Sequence, residues 1–449
     1  MTSNGALRQV ALFAAFMMIF TRSEPAATGS GCPATPEFMN PSPDAPADVC
    51  IPEGFTDVPI DFFDNYSWRA FIAMIWPAAP LRRGVPDRTL VPGAPVPLVF
   101  ETYKSLWEVF HDDGSAPQAN FNAMDTAVHN ACKVAPKFGD LILASSSGVG
   151  DIGQAGVGEL VGPLVAQNGK YVRYLTLYNQ IAYDFIVRNK LYLRSTIPAI
   201  PSPRPEAPML QFPDGSIAIK AAWIEMAGMP DDLRNRYYMR EAIVRDPGNG
   251  KCSRVTVGLA AMHVVQKTPS RPQWIWSSFE QLDNVPPAQF GANGKFGFHD
   301  GNLTSAMPEE NPLALKPLAL QPIKPFNVER AVVSPIHPRT ANTNGRYERL
   351  ISYSVWKNYQ LVTTQWPRLD GDQAKPVPVT LNGDILNSFP GKDATSAFAN
   401  VVIETFDQSR PQLGCMSCHN RARMQTDFMW SVMDHAWPPA ISAAAQTVR

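Results

Sequence analysis

Residues 237–279 read YYMREAIVRDPGNGKCSRVTVGLAAMHVVQKTPSRPQWIWSSF. Two runs rich in apolar and β-branched residues, 237–245 and 253–268, flank the turn residues Pro247-Gly248-Asn249-Gly250. A Pro/Gly/Asn cluster between two such runs predicts an antiparallel pair. Residues 273–279 predict a third strand. In the second run, Val255, Val257, Leu259, Ala261, His263 and Val265 share one face by the two-residue period of a strand. This strand-rich middle, with helical patterns on either side, predicts an α+β fold. The expectation is a mainly antiparallel sheet with flanking helices and long Pro-rich loops.

Working towards the N-terminus, Phe62, Phe63, Tyr66, Phe71, Ile72 and Ile75 recur at helical spacing. They predict a helix over 61–75, stopped by Trp76-Pro77. Residues 98–103 predict a short strand, with Trp107 and Phe110 packing on that helix. Residues 140–145 predict another strand. The GVGDIG string at 148–153 has the letters of a dinucleotide-binding turn. It lacks a helix-forming stretch after it and an acidic residue about 20 positions on, so it reads as loop. Asn168-Gly169 predicts a hairpin turn within 164–177, followed by a helix from 178 to about 191 and a strand over 216–225. Towards the C-terminus, 346–353 predict a helix and 355–365 a strand. Asp393 caps an expected helix with Phe398, Val401, Val402 and Thr405 on one side.

The chain has 449 residues, 45% hydrophobic and 18% charged, enough for a large core. Lys plus Arg number 39 and Asp plus Glu 40, a near-neutral balance. That argues against a general nucleic-acid surface or a polybasic membrane surface. The 43 prolines are about twice average usage and imply many turns and irregular segments. At the N-terminus, Arg8 precedes the apolar run VALFAAFMMIF at 10–20, and 21–31 is small and polar. This reads as an export signal cleaved near 27–29, the alternative being a short retained anchor. Cys32 raises a lipoprotein reading, but Gly29 stands where an aliphatic residue is wanted. The expected organisation is a signal peptide over 1–29, a Pro-rich linker or arm over 30–50, an α+β body over 51–392 and a C-terminal segment over 393–449. No other stretch is long and apolar enough to span a membrane. The expected location is periplasmic or secreted, in a bacterium.

The C-terminal segment carries Cys415-Met416-Ser417-Cys418-His419. C-x-x-C-H is the attachment pattern for c-type haem. Two thiols at this spacing reach the two vinyl groups of one porphyrin, and the histidine that follows sits under the iron as proximal ligand. The expectation is one covalent haem c on Cys415 and Cys418, with His419 on the iron. The alternative is half of a zinc site, which needs a further Cys or His pair. No cysteine follows Cys418, and His435 stands alone. Only 30 residues follow His419, so the body of the protein must cover the group.

A second axial ligand would come from the tail (Met424, Met429, Met433, His435) or from upstream (His263, His111, His129, His299, His337). His263, on an apolar strand face, is the candidate distal ligand or distal-pocket base. Its alternative is a core histidine held by hydrogen bonds, and for Met429 and Met433 the alternative is core packing. Helical continuation after the motif places Met424 and Phe428 near the proximal side. Arg271, Arg421 and Arg423 are candidates to pair with propionates, or else solvated charges. Four more cysteines, Cys32, Cys50, Cys132 and Cys252, suggest disulfides in an oxidising compartment. Cys32 with Cys50 would close the arm and leave Cys132 with Cys252. Three pairings exist, and free buried thiols at Cys132 and Cys252 are the alternative.

Residues 68–77 (WRAFIAMIWP), 267–286 (KTPSRPQWIWSSFEQLDNVP), 355–367 (VWKNYQLVTTQWP) and the C-x-x-C-H motif together resemble bacterial exported cytochrome c family proteins. These are haem-attachment proteins of unknown function. The likeness covers most of the chain. It implies haem binding through Cys415, Cys418 and His419 and supplies no substrate. The expected role is electron transfer or redox chemistry through the haem, with a redox partner protein or a small-molecule substrate. One alternative is a haem enzyme with an open iron site acting on peroxide, a nitrogen oxide or an organic substrate. Another is a binding or sensor protein stapled by haem. The large body argues for more than a simple shuttle, and a single C-x-x-C-H argues against a diheme peroxidase.

Overall fold

The three expected central strands form and organise the rest. In the computed structural model the described residues are 31–38, 40–125, 132, 139–143, 163–198, 210–246, 249–286, 295–301, 325, 327–330, 336–366, 399–405, 408, 415–419 and 422–438. The export signal at 1–29 and the glycine string at 148–153 lie outside them. The strands are β1 (Lys104–Ser105), β2 (Leu141–Leu143), β3 (Val172–Tyr178), β4 (Ile217–Glu225), β5 (Met239–Arg245), β6 (Cys252–Thr268), β7 (Arg271–Gln281) and β8 (Tyr359–Gln365). Together they make one sheet. Every pairing is antiparallel except the parallel pair β2–β5. The fold is α+β with a mainly antiparallel sheet, as expected.

β6 is the axis of the sheet. One edge pairs with β4 along most of its length. The other edge pairs first with β5 and then with β7, so the sheet forks. The turn between β5 and β6 is closed by Asp246, whose Oδ1 accepts the Asn249 N–H at 3.2 Å, and Gly250 supplies a φ of +69°.

The expected single face of β6 is corrected by a bulge. Leu259 pairs with Trp223 and Ala261 with Ala222, so Ala260 is an extra residue. Consecutive residues of β4 point to opposite faces, so Leu259 and Ala261 do as well. Leu259 and Trp223 join the main core, and Ala261 and Ala222 a second cluster. His263 therefore lies on the face opposite Val257 and Leu259.

One face of the sheet is covered by α1 (Ile60–Met74) and α5 (Pro338–Leu350). The intervening short helices are α2 (Leu106–Val109), α3 (Gln180–Arg188) and α4 (Asp231–Arg234). Ser67 of α1 meets Ser277 Oγ at 2.7 Å and Thr364 Oγ1 at 2.8 Å, and Phe71 stacks on Phe279 at 4.2 Å. Trp68 donates to Asn344 Oδ1 at 2.8 Å and stacks on Tyr347 at 5.2 Å. The opposite face is covered by the 399–405 turn and by α6 (Cys415–His419), α7 (Arg423–Thr426) and α8 (Trp430–His435). β7 shows the division at two-residue period. Trp274, Trp276, Ser278 and Glu280 face the C-terminal segment, while Ser277 and Phe279 face α1.

Other expectations shift for local reasons. Residues 98–103 are not a strand but a 3-10 turn at Phe100–Thr102. Glu101 accepts the Leu98 N–H and Thr102 Oγ1 donates to Val99 O, side-chain bonds that compete with a ladder. Trp107 packs with Ile142 and Ile243 instead of α1. α5 begins at Pro338, because His337 caps it and proline fits the first helical position. Val401, Val402 and Thr405 sit in turns, where Asn400 Oδ1 accepts from Val402 and Ile403. Asp393 and Phe398 lie outside the described residues.

The Pro-rich arm is docked. Cys32–Cys50 and Cys132–Cys252 are the disulfides. Asp48 accepts from Ser270 N at 2.8 Å, and Pro46 O accepts from Gln266 Nε2 at 2.9 Å. No helix among the described residues is long and apolar enough to cross a membrane.

Candidate haem-attachment site

Cys415 and Cys418 share the single turn of α6 and are not disulfide-bonded, in contrast to the cysteines elsewhere. Burial pushes the Cys415 thiol well up, so it stays neutral. α6 is anchored on the sheet through Gln365, whose Oε1 accepts the Met416 N–H at 3.3 Å. Gln365 is the cross-strand partner of Trp276. The Trp276 ring lies 4.3 Å from the His419 ring. The sheet therefore supplies an aromatic floor under the motif.

His419 Nδ1 donates to Phe428 O at 2.7 Å. α7 turns the chain back so that this carbonyl reaches the imidazole, and Trp430 Nε1 donates to Cys418 O at 3.1 Å from the next helix. Burial pushes the His419 imidazole down to about 4, and the neighbouring Lys220 and His263 act in the same direction. A neutral imidazole with its Nδ1 proton committed to a carbonyl presents its Nε2 lone pair outward.

The fold of α7 and α8 over the sheet depends on Asp427. Its carboxylate accepts from Lys267 Nζ at 2.5 Å and Phe212 N at 2.8 Å, and its carbonyl accepts from Trp274 Nε1 at 3.0 Å. Both charged side chains are 3% exposed or less.

Beside the motif, the turn at 399–405 covers the next row of the sheet. Lys220, His263, Ser278 and Thr363 are cross-strand neighbours on β4, β6, β7 and β8. Asn400 Nδ2 donates to Ser278 Oγ at 3.1 Å and Val401 N to Glu280 at 2.7 Å. Glu404 Oε2 accepts the Asn400 N–H at 3.0 Å and lies 3.5 Å from His263 Nε2. Burial alone would push the Glu404 carboxyl up, but His263 and Lys220 outweigh it and hold it below the ordinary range. Ser278, the partner of His263, stands two residues from Trp276 on the same face of β7, and Trp276 lies against His419, so this row is next to the motif.

The other candidates lie elsewhere. His111 bridges Ser115 at 2.8 Å and Asp125 at 3.0 Å. His299 contacts Glu329 at 3.3 Å and accepts from Gly301 N. His337 caps α5 on the far face. His435 lies against Phe110, and burial pushes it down to about 4. Met429 is buried in the main core and Met433 is half-buried in α8, its carbonyl taken by Arg194. The side chains of Met424 and Arg423, like His129 and Arg421, lie outside what the structure describes. Arg271 is buried against the Phe63 ring and donates to Ser270 O, on the arm side of β7. A cavity of about 40 Å³, lined by Arg83, Glu101, Trp107, Glu108 and Leu141, is lined by no residue of the motif.

The residues present fit a c-type haem by their chemistry. Two thiols outside any disulfide share one turn, and a neutral histidine has Nδ1 anchored on a carbonyl. Among the described residues no group of three His, Cys, Asp or Glu is placed to hold a metal ion by itself. One protein nitrogen suffices where a porphyrin supplies the other donors. Sequence reasoning placed Phe428 near the proximal side but missed Glu404, Gln365 and Trp276 as parts of this site. Only Trp276 left a signal, the two-residue alternation that puts it level with Trp274 and Ser278. No family model, curated protein or solved structure matches the chain.

Proposed function

We propose that this protein is an exported c-type haem protein with a redox role. Thioethers from Cys415 and Cys418 would hold the haem and His419 would ligate its iron. The observation that carries this reading is the placing of two thiols outside any disulfide beside the Nδ1-anchored imidazole of His419. When bound, the haem supplies one-electron chemistry at iron, at a potential set by axial ligand and burial. The chain's own residues do the positioning. Phe428 O fixes the tautomer and rotation of His419, Gln365 ties α6 to β8, and Trp276 forms the apolar wall. The disulfides Cys32–Cys50 and Cys132–Cys252 support an oxidising location, periplasmic or secreted.

The test is a haem stain after denaturing electrophoresis of protein exported from cells competent in haem attachment. The wild type should stain, and the Cys415→Ser, Cys418→Ser double variant should not. Staining that survives in the double variant refutes the reading. A second reading, a haem enzyme with an open iron site, is favoured by the contact between His263 and Glu404.

A further inference from the structure

His263 and His419 are oriented in opposite senses. His419 gives Nδ1 to a carbonyl, which leaves Nε2 as its ligating nitrogen. His263 turns Nε2 towards a carboxylate, Glu404 Oε2, at 3.5 Å. An iron-ligating histidine commits one ring nitrogen to the metal and gives its other N–H to a carbonyl or carboxylate. Nε2 is the nitrogen that reaches a haem iron without a clash between the porphyrin and the residue's own Cβ. In His263 that nitrogen faces the Glu404 carboxylate across 3.5 Å without a well-shaped hydrogen bond, and so stays a donor. The carboxylate is itself fixed, because Oε2 also accepts the Asn400 N–H at 3.0 Å and Asn400 is tied to Ser278 on β7.

The contact is loose. His263 is 9% exposed, and among the described residues no acceptor forms a well-shaped hydrogen bond with its Nε2. A buried donor in that state is costly unless something else receives it. Lys220, its cross-strand neighbour, adds positive charge to the same row. The row therefore offers a proton donor, His263, to an acceptor bound beside it.

Resting on the haem reading above, we infer that His263 and Glu404 form a distal pair beside an open iron position. The site takes a small ligand that accepts a hydrogen bond, of the peroxide or diatomic class, in place of a second protein ligand. Glu404 is a positioning residue, and His263 is the donor to the bound ligand. The other described histidines do not compete for the position. His111, His299 and His337 each have a ring nitrogen engaged in their own surroundings, and His435 is packed by Phe110.

The experiment is carbon monoxide binding to the reduced, haem-loaded protein, followed by visible absorption and by the infrared C–O stretch. Haem content is measured first. Wild type should bind carbon monoxide, and His263→Ala and Glu404→Gln should both move the stretch to higher frequency as donor polarity is lost. In the ferric protein, azide should bind roughly tenfold more weakly to His263→Ala, the equivalent of one hydrogen bond. Glu404→Gln keeps an acceptor for the Asn400 N–H and so guards against misfolding. A wild type closed to carbon monoxide overturns the inference, and opening by His263→Ala would show that His263 is itself the sixth ligand. Binding with an unmoved stretch in both variants also overturns it. A protein without haem refutes the underlying reading, and that result is visible before carbon monoxide is added.

Discussion

Asp427→Ala should destabilise the protein by about 3–5 kcal/mol, because it strands a buried ammonium. Lys267 Nζ lies 2.5 Å from the Asp427 carboxylate, and the two side chains are 3% and 0% exposed. The substitution also removes the acceptor of Phe212 N, an orphaned amide that adds to the loss. Against a total stability of about 5–15 kcal/mol, that is a large fraction. The pair itself contributes little at neutral pH. Burial pushes the Asp427 carboxyl up to about 6 even with Lys267 beside it, so its charged form is disfavoured in the fold. This folded value lies above the ordinary one, so its stabilising effect is complete below about pH 4 and is lost as pH rises through about 6.

Two consequences separate this reasoning from a general account of a damaged core. Lys267→Met should cost less at pH 5 than at pH 8, because the stranded carboxyl takes a proton at the lower pH. Lys267→Met combined with Asp427→Leu should recover most of the loss at pH 8, since apolar replacement of a buried pair is often neutral or stabilising. The assay is urea unfolding followed by tryptophan fluorescence, with Trp274 as a local reporter, in a double-mutant cycle. Asp427→Ala within 1 kcal/mol of wild type, or a double variant no more stable than either single variant, refutes the reasoning.

Other outcomes are as specific. His419→Ala should keep covalent haem but change its absorption spectrum, and an unchanged spectrum would exclude the proximal role. Asp64 is buried, and burial pushes it up to about 7 while Thr340 and Thr364 donate to it. Wild type should lose about 4 kcal/mol as pH rises from about 4 through 7, and Asp64→Asn should flatten that slope and melt higher than wild type at pH 8. Equal melting temperatures at pH 8 would remove the argument. Cys32→Ser with Cys50→Ser should cost about 2–4 kcal/mol and, by releasing Asp44 of the arm from Arg88, speed trypsin cleavage after Arg88. A digestion pattern identical to wild type would show that the arm is held without the bridge.

Much of the sheet was legible because its signals are local. The turn at 246–250 and the Asn168-Gly169 turn are set by residues adjacent in sequence, and the β-branched runs around them need no partner to be recognised. α1 was legible because its apolar residues repeat at helical spacing. The bulge at Ala260 was not, since nothing in Gly258-Leu259-Ala260-Ala261 distinguishes an extra residue from a regular one. Its cost to the reading was high, because one residue moves His263 to the other face. α5 was also obscured. Its residues are poor helix formers, and it is held by tertiary bonds such as Thr340 to Asp64 and Asn344 to Trp68. In the candidate site, Cys415, Cys418 and His419 are a contiguous motif and were read directly. Glu404 sits 141 positions from His263 and Asp427 160 from Lys267, distances over which sequence carries no pairing signal.

The most direct test of the central claim is the intact mass of the exported protein, taken with its absorption spectrum. The account predicts a mass greater than the signal-cleaved chain by one haem, a c-type spectrum, and the loss of both when Cys415 and Cys418 are serine. A protein of the bare polypeptide mass, with no visible band after expression alongside haem-attachment machinery, would contradict it.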